Sequence, residues 1–231
     1  MIPLAVMDLD LSSPNYTTLS RRGQHLERRL RPMPSDGGIH LVLDSTGLSI
    51  VGEGEWAAVK HGGRGRRGWK KLHLGVDRSG MIVAQALTDE HLDDATIGVA
   101  LIDTVDGDIS SVTADAAYDT LAVYGAAKAR GGTVVVPPKR TAVISRRQPR
   151  SAARDRTIRR LNEIGRRRWR KEAGYHQQAR VENGFFRYKS IIGDGLRART
   201  PAGQATEAVL ACNVLNRITE LGRPESRRIR S

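Results

Sequence analysis

Strand-like runs separated first by a hairpin-length turn and then by helix-length segments limit what this chain can become. Ile39-His-Leu-Val-Leu43 reads as a buried strand running into a polar turn, Asp44-Ser-Thr-Gly47. Lys71-Leu-His-Leu-Gly-Val-Asp77 alternates polar and apolar residues, Arg78-Ser-Gly80 turns, and Met81 to Leu87 resumes the alternation, which predicts a β-hairpin. Ile109–Thr113 and Thr133–Pro137 are further strand-like runs. Helical spacing lies between them, over Ala95–Val105 with Asp93 and Asp94 at its start, and over Thr120–Arg130 before Gly131-Gly132. An early hairpin followed by crossovers predicts an α/β fold, a mixed sheet flanked by helices.

The flanks are helical. Residues 1–37 read as a short helical lead-in, with helical spacing over Ser20–Leu30 and a stop at Pro32, Pro34 and Gly37-Gly38. Residues 38–222 form the main domain, and 223–231 a basic tail. Within the domain a helix is expected from Tyr175 to Ile192. Another is expected from Pro201 to Leu221, capped by Thr200, with Leu210, Val214, Ile218 and Leu221 on its packing face and Cys212 as a core thiol. A single cysteine excludes an intrachain disulfide and is simplest in a reducing cytoplasm. The apolar opening Met1–Met7 has no preceding basic region, and no run has the length to span a bilayer, so neither secretion nor a membrane is expected.

Charge points to a partner. The formal net charge is +13, and residues 139–171 alone carry fourteen Lys and Arg against Asp155 and Glu163. Such an excess attracts polyanions through long-range fields and counterion release. A second cluster, Lys60, Arg64, Arg66, Arg67, Lys70 and Lys71, is interrupted by Gly62, Gly63, Gly65 and Gly68, as in a loop that could drape on phosphates. Solvated surface charge and an ordinary basic hairpin loop are the plain alternatives.

Three acids fall where chemistry would use them: Asp44 and Asp115 at strand ends, and Glu182 within a helix. Singly, each Asp reads as a turn or cap residue, and Asp119 as a structural cap for the following helix. Glu182 is more distinctive, because residues 175, 178, 182, 186 and 189 share one helical face. On a plain helix Glu182 would be solvated, and Phe185 and Phe186 would be core. Three crowded carboxylates repel, so they call for divalent cations, and oxygen-only ligation selects Mg²⁺ or Mn²⁺. Two such ions about 3.5–4 Å apart suit phosphodiester exchange.

Taken in order, Leu43-Asp-Ser-Thr-Gly47, Gly54-Glu-Trp56, Lys60-His-Gly62, Trp69–Asp77, Thr113-Ala-Asp-Ala-Ala-Tyr-Asp119 and the Tyr175–Lys189 segment resemble the insertion-sequence DDE transposases of the IS-five family, from about Leu11 to Gly222. The resemblance implies a ribonuclease-H-like fold in which Asp44, Asp115 and Glu182 hold two Mg²⁺ ions, with Mn²⁺ able to substitute. It also implies hydrolysis at transposon terminal inverted repeats, then attack of the released 3′-hydroxyl on target DNA by a homo-oligomer in the bacterial nucleoid.

The family's last signature runs Tyr, two residues, Arg, three residues, Glu, six residues, Lys. Tyr175, Glu182 and Lys189 match it, but Gln178 stands where Arg belongs, and Gln cannot supply a charged bidentate fork to phosphate. On this reading Lys189, Tyr175 and Gln178 position DNA, while Arg180, Arg166, Arg167, Arg168, Arg170 and the glycine-interrupted cluster hold its backbone. The Asp8–Arg22 segment resembles one that relatives carry after a longer N-terminal region, so a truncated copy is expected. A catalytically inactive DNA-binding remnant is the alternative. A basic RNA-binding protein would explain the charge but not the ordered acids. His73 and His91 read as structural histidines.

Overall fold

The computed structural model describes residues 15–25, 29–32, 37–51, 68–145 and 147–222. In chain order these form α1 (Tyr16–His25), β1 (Ile39–Ile50), β2 (Trp69–Val76), β3 (Ile82–Asp89), α2 (Asp94–Thr104), β4 (Ile109–Thr113), α3 (Leu121–Ala129) and β5 (Thr133–Val135). They continue as α4 (Ala152–Ile164), α5 (Arg166–Glu172), α6 (Ala179–Arg187), β6 (Gly195–Leu196) and α7 (Pro201–Glu220). The sheet runs β3-β2-β1-β4-β5, with β6 pairing β1 off that path. β1 is antiparallel to β2 and parallel to β4 and β6, and β2 is antiparallel to β3. An antiparallel hairpin beside parallel strands reached through helices is the ribonuclease-H-like arrangement.

Alternate residues of each strand point to opposite faces. On one face Ile39, Leu41 and Leu43 join Leu101 and Ile102 of α2 and Val123 and Ala127 of α3 in a continuous apolar core. The close approach of α2 depends on Gly98, since a Cβ there would lie 2.7 Å from the Tyr118 ring. Asp93 caps α2 by accepting from the Thr96 amide at 2.9 Å. At the other end of α2 the Arg130 guanidinium donates to the carbonyls of Ile102, Asp103, Val105 and Gly107, satisfying groups a helix end leaves open. The opposite face carries Val42, Leu48, Leu72, Leu74 and Val76 against α6 and α7.

Several expectations change. Asp44–Gly47 is not a turn: β1 continues through it, paired with β2 from Val42↔Val76 to Ser49↔Trp69, because the ladder supplies partners for every residue between. The expected helix from Tyr175 to Ile192 is three segments: a tight 3₁₀ turn at Tyr175–Gln178, α6, and a widened π turn at Tyr188–Ile192. Phe185 is buried as expected, whereas Phe186 is 70% exposed.

Helix α7 forms where expected, with Thr200 accepting from the Gly203 amide at 3.1 Å and Pro201 in the first turn, but it is rotated from its expected face. Leu210, Val214 and Leu221 are exposed, while Ala208, Ala211, Cys212 and Leu215 face the sheet. The Asn216 side chain fixes this rotation, donating to the Ile82 carbonyl and accepting from the Ile82 amide, both at 2.8 Å. Cys212 is a core thiol, and burial pushes its pKa up to about 12.

Residues of the basic segment fold as α4 and α5. Arg154 of α4 grips the buried Asp119 carboxylate through two bonds of 2.6 and 2.7 Å, and Asp119 also accepts from the Lys139 amide. Buried Asp155 gathers the Ser145 amide, the Ser151 hydroxyl and the Gln148 amide. Arg160 joins Glu163 and Glu172 across the two helices. Asp119 is therefore structural, but as an anchor for α4; the cap of α3 is Thr120. No described helix is long and apolar enough to cross a membrane.

Candidate active site

Register and parity bring two of the acids together. Val42 pairs with Thr113 in the parallel β1–β4 ladder, so Asp44, within β1, and Asp115, just past the end of β4, each two residues further on, stand at about the same level. Val112 and Ala114 belong to the α2–α3 core, as do Leu41 and Leu43, whereas Val42 and Leu48 belong to the other. Asp44 and Asp115 thus share the face that α6 covers.

On that side β1 has a notch. β4 pairs with it only as far as Val42, and β6 joins only at Ser49. The turn before α6 fills part of the opening: buried Gln178 donates from Nε2 to the Leu43 carbonyl at 3.2 Å. Val181 and Phe185 then pack α6 into the second core, and Glu182, one turn beyond Gln178, stays exposed in the first turn of α6, where the helix dipole favours a negative charge.

The acids sense one another. The Asp44 carboxyl is pushed up to about 6, first by burial, against the lowering effect of the Ser45 amide at 2.8 Å, and then by the charges of Asp115, Glu182 and Asp94. Asp115 accepts from the Ala117 amide at 2.8 Å, which fixes its side chain at the start of the 3₁₀ turn Ala116–Tyr118. Half-buried Tyr175 has its hydroxyl pKa raised by burial and then by Asp115, Asp44 and Glu182.

Basic helix α5 borders this group. Its Arg170 guanidinium stands 5.4 Å from the Tyr175 ring centroid, with the Trp169 ring centroid 6.3 Å from the same ring. Arg167 and Arg168 are exposed, as are Arg180 and Lys189. Arg166 donates to the Pro138 carbonyl at 2.8 Å. Lys70 pairs with Asp89, and Lys71 with Asp94 at 3.1 Å, so part of their charge is met within the protein. Lys60, Arg64, Arg66 and Arg67 lie outside the described residues.

A family model described as the transposase DDE domain matches residues 35–217, and a second model of the same description matches residues 3–53. The chain belongs to the transposase DDE domain family. DNA is accordingly the substrate of this transposase, and the mixed sheet of the domain is its ribonuclease-H-like platform.

Gln178 of the transposase, expected to position DNA, is buried and bonded within the protein. It is a buried brace between the turn and β1, a position in which a charged guanidinium would pay for burial. Two residues escaped the sequence reading. Asp94 was read only as an acid at a helix start; it acts on Asp44, and it lies 3.7 Å from buried His73, whose other nitrogen meets the Thr88 hydroxyl at 2.8 Å. Of the acid pair Asp93-Asp94, one suffices as the cap, and that surplus was the available signal. Arg154 was lost among its basic neighbours, with nothing local to mark it as the partner of Asp119.

The donor set suits a hard divalent cation, since it consists of carboxylates and a second positive charge would relieve the repulsion felt by Asp44. As the side chains stand, no three His, Cys, Asp or Glu groups among the described residues close on one point. The acids form an open electrostatic group.

Proposed function

We propose that this transposase hydrolyses phosphodiester bonds at transposon ends and joins the released 3′-hydroxyl to target DNA, as a member of the IS-five family. The observation that carries this reading is the convergence of Asp44 and Asp115 on one face and level of the sheet, with Glu182 acting on the same raised carboxyl. Asp44, Asp115 and Glu182 would hold Mg²⁺ or Mn²⁺. Such ions supply Lewis-acid stabilisation of phosphate oxygens and a lowered pKa for water.

The protein's own groups account for placement. The Ser45 and Ala117 amides orient the two aspartates, and Gln178 ties the start of α6, the helix that carries Glu182, to β1. Exposed Lys189 and Arg180 on one side, and Arg167, Arg168 and Arg170 on the other, would take backbone phosphates. Water displaced from the notch by DNA would strengthen every charge contact within it.

The test is a nicking and strand-transfer assay on DNA carrying the repeats that flank the reading frame, with Mg²⁺ or Mn²⁺. Wild type should nick, and Asp44→Asn, Asp115→Asn and Glu182→Gln should each lose activity while still binding DNA. A second reading, a DNA-binding remnant without catalysis, draws on the open spacing of the carboxylates. DNA binding without nicking by wild type in either metal would establish it, and nicking by Asp44→Asn would remove Asp44 from the mechanism.

A further inference from the structure

Helix α3 gives its outer face to small residues. Ala122, Gly125 and Ala129 are exposed there and line the floor of a groove of about 860 Å³, with α2 along one side and α4 along the other. Glycine inside a helix weakens it relative to alanine, so its presence asks for a reason. Gly98 of α2 has one in the Tyr118 ring, but a Cβ on Gly125 would meet nothing within 4 Å among the described residues. What remains is the close approach of something from outside. A second sign lies beside it: the Tyr124 side chain lines the groove, is only 4% exposed, and leaves its hydroxyl without a partner in hydrogen-bond geometry among the described residues. The Thr157 hydroxyl in the same groove donates instead to the Ala153 carbonyl at 3.3 Å.

The two sides of the groove differ in charge. Asp103 at the end of α2, with Asp106 in the loop after it, makes one flank acidic, while Lys128, Arg150 and Arg156 make the α4 flank basic. All five are exposed, and none has a charged partner among the described residues. Arg154 and Arg160 of the same α4 are by contrast held by Asp119, Glu163 and Glu172.

We infer that a second copy of this chain docks in the groove, in an isologous contact about a two-fold axis running along α3. Such an axis sets the acidic flank of each copy against the basic flank of the other and brings the two Gly125 backbones together. An axis across α3 would set acid against acid, which charge repulsion opposes. DNA fits the groove less well, because the floor is apolar and one flank repels phosphate. The inference does not rest on the cation site. Since α2 and α3 cover one face of the sheet and α6 the other, a pair joined at α3 leaves the α6 side of both copies open to DNA.

The experiment is sedimentation equilibrium on the full chain without DNA or metal. Wild type should pass from monomer to dimer as concentration rises. Gly125→Leu has room in the single chain, so it should melt no lower than wild type at dilutions where both are monomeric, yet weaken association about tenfold or more. Asp103→Lys and Arg156→Glu should each weaken association about tenfold or more as well, because each sets like charges face to face. Mixed together, these two variants should associate as strongly as wild type, since both contacts of the mixed pair again join opposite charges.

A wild type that stays monomeric at every concentration would overturn the inference. So would a dimer indifferent to Gly125→Leu, or a mixture no stronger than the two single variants. If wild type stays monomeric and Arg156→Glu lowers affinity for DNA, the basic flank serves nucleic acid instead. Nicking enters none of these outcomes, so failure of the docking and failure of the catalytic reading are told apart.

Discussion

The two faces of the sheet are made by alternate residues of the same strands, yet one is closed and the other is open. On the face of Leu41, Leu43 and Val112 the strands pack a continuous apolar cluster against α2 and α3, with buried His73 toward the end of the layer near Asp94. On the face of Val42 and Leu48 the side chains of Leu72, Leu74 and Val76 continue the apolar layer across β2, but within β1 Asp44 stands between Val42 and Leu48, where β4 has left that edge of β1 and β6 has not yet joined it. A closed face stabilises the fold. On the proposed function, the interrupted one gives up some of that stability to keep carboxylates within reach of DNA.

Four substitutions probe this contrast. The largest loss should come from Arg154→Ala, since it strands the fully buried Asp119 carboxylate; removal of one partner of such a pair costs about 3–5 kcal/mol in chemical denaturation. If the loss is under about 1 kcal/mol, the pair is not what anchors α4. On the closed face, Leu41→Ala should cost about 2–5 kcal/mol, toward the low end if neighbours collapse into the space. At a temperature where it stays folded, nicking per folded molecule should persist, and loss of nicking there would erase the separation between the faces.

Gln178→Ala should cost less, about 1–2 kcal/mol, for a carbonyl of Leu43 left without its donor, while reducing nicking more than Leu41→Ala does because the start of α6 loses its brace. An effect of opposite sign belongs to Asp44→Asn. The Asp44 pKa is higher in the folded chain than in an unfolded one, so the native state holds an extra proton between about pH 4 and 6, and stability falls as pH rises across that window. The variant should therefore match wild type near pH 4 and melt a few degrees higher at pH 8. A lower melting temperature at pH 8 would mean that the ionised Asp44 is not under repulsion.

Where local rules governed, the sequence was readable. The hairpin of β2 and β3, the starts of α2 and α7, and the strands β4 and β5 follow from alternation, residues at helix starts and glycine stops, whereas the cap of α3, read as Asp119, is Thr120. The three acids stand out in the sequence only through motifs taken in order, and the register that sets Asp44 and Asp115 at one level is contained in no local pattern. Long-range pairing also explains the errors. Asp44-Ser-Thr-Gly47 has turn composition, and only β2 makes it strand; Leu210 and Val214 look like a packing face, and only the grip of Asn216 on Ile82 turns them outward. The burial of Gln178 was not legible because its partner, the Leu43 carbonyl, lies 135 residues away in the chain.

The account depends on carboxylates from three separate elements acting as one cation site. Mn²⁺ titration followed by electron paramagnetic resonance, on wild type and on Asp44→Asn, Asp115→Asn and Glu182→Gln in the presence of DNA, tests that directly. Saturable binding by wild type should weaken at least tenfold in every single variant, since a shared ion loses a ligand whichever acid is removed. Binding of wild-type strength in any one of the three would show that the acids do not share their ions and would contradict the account.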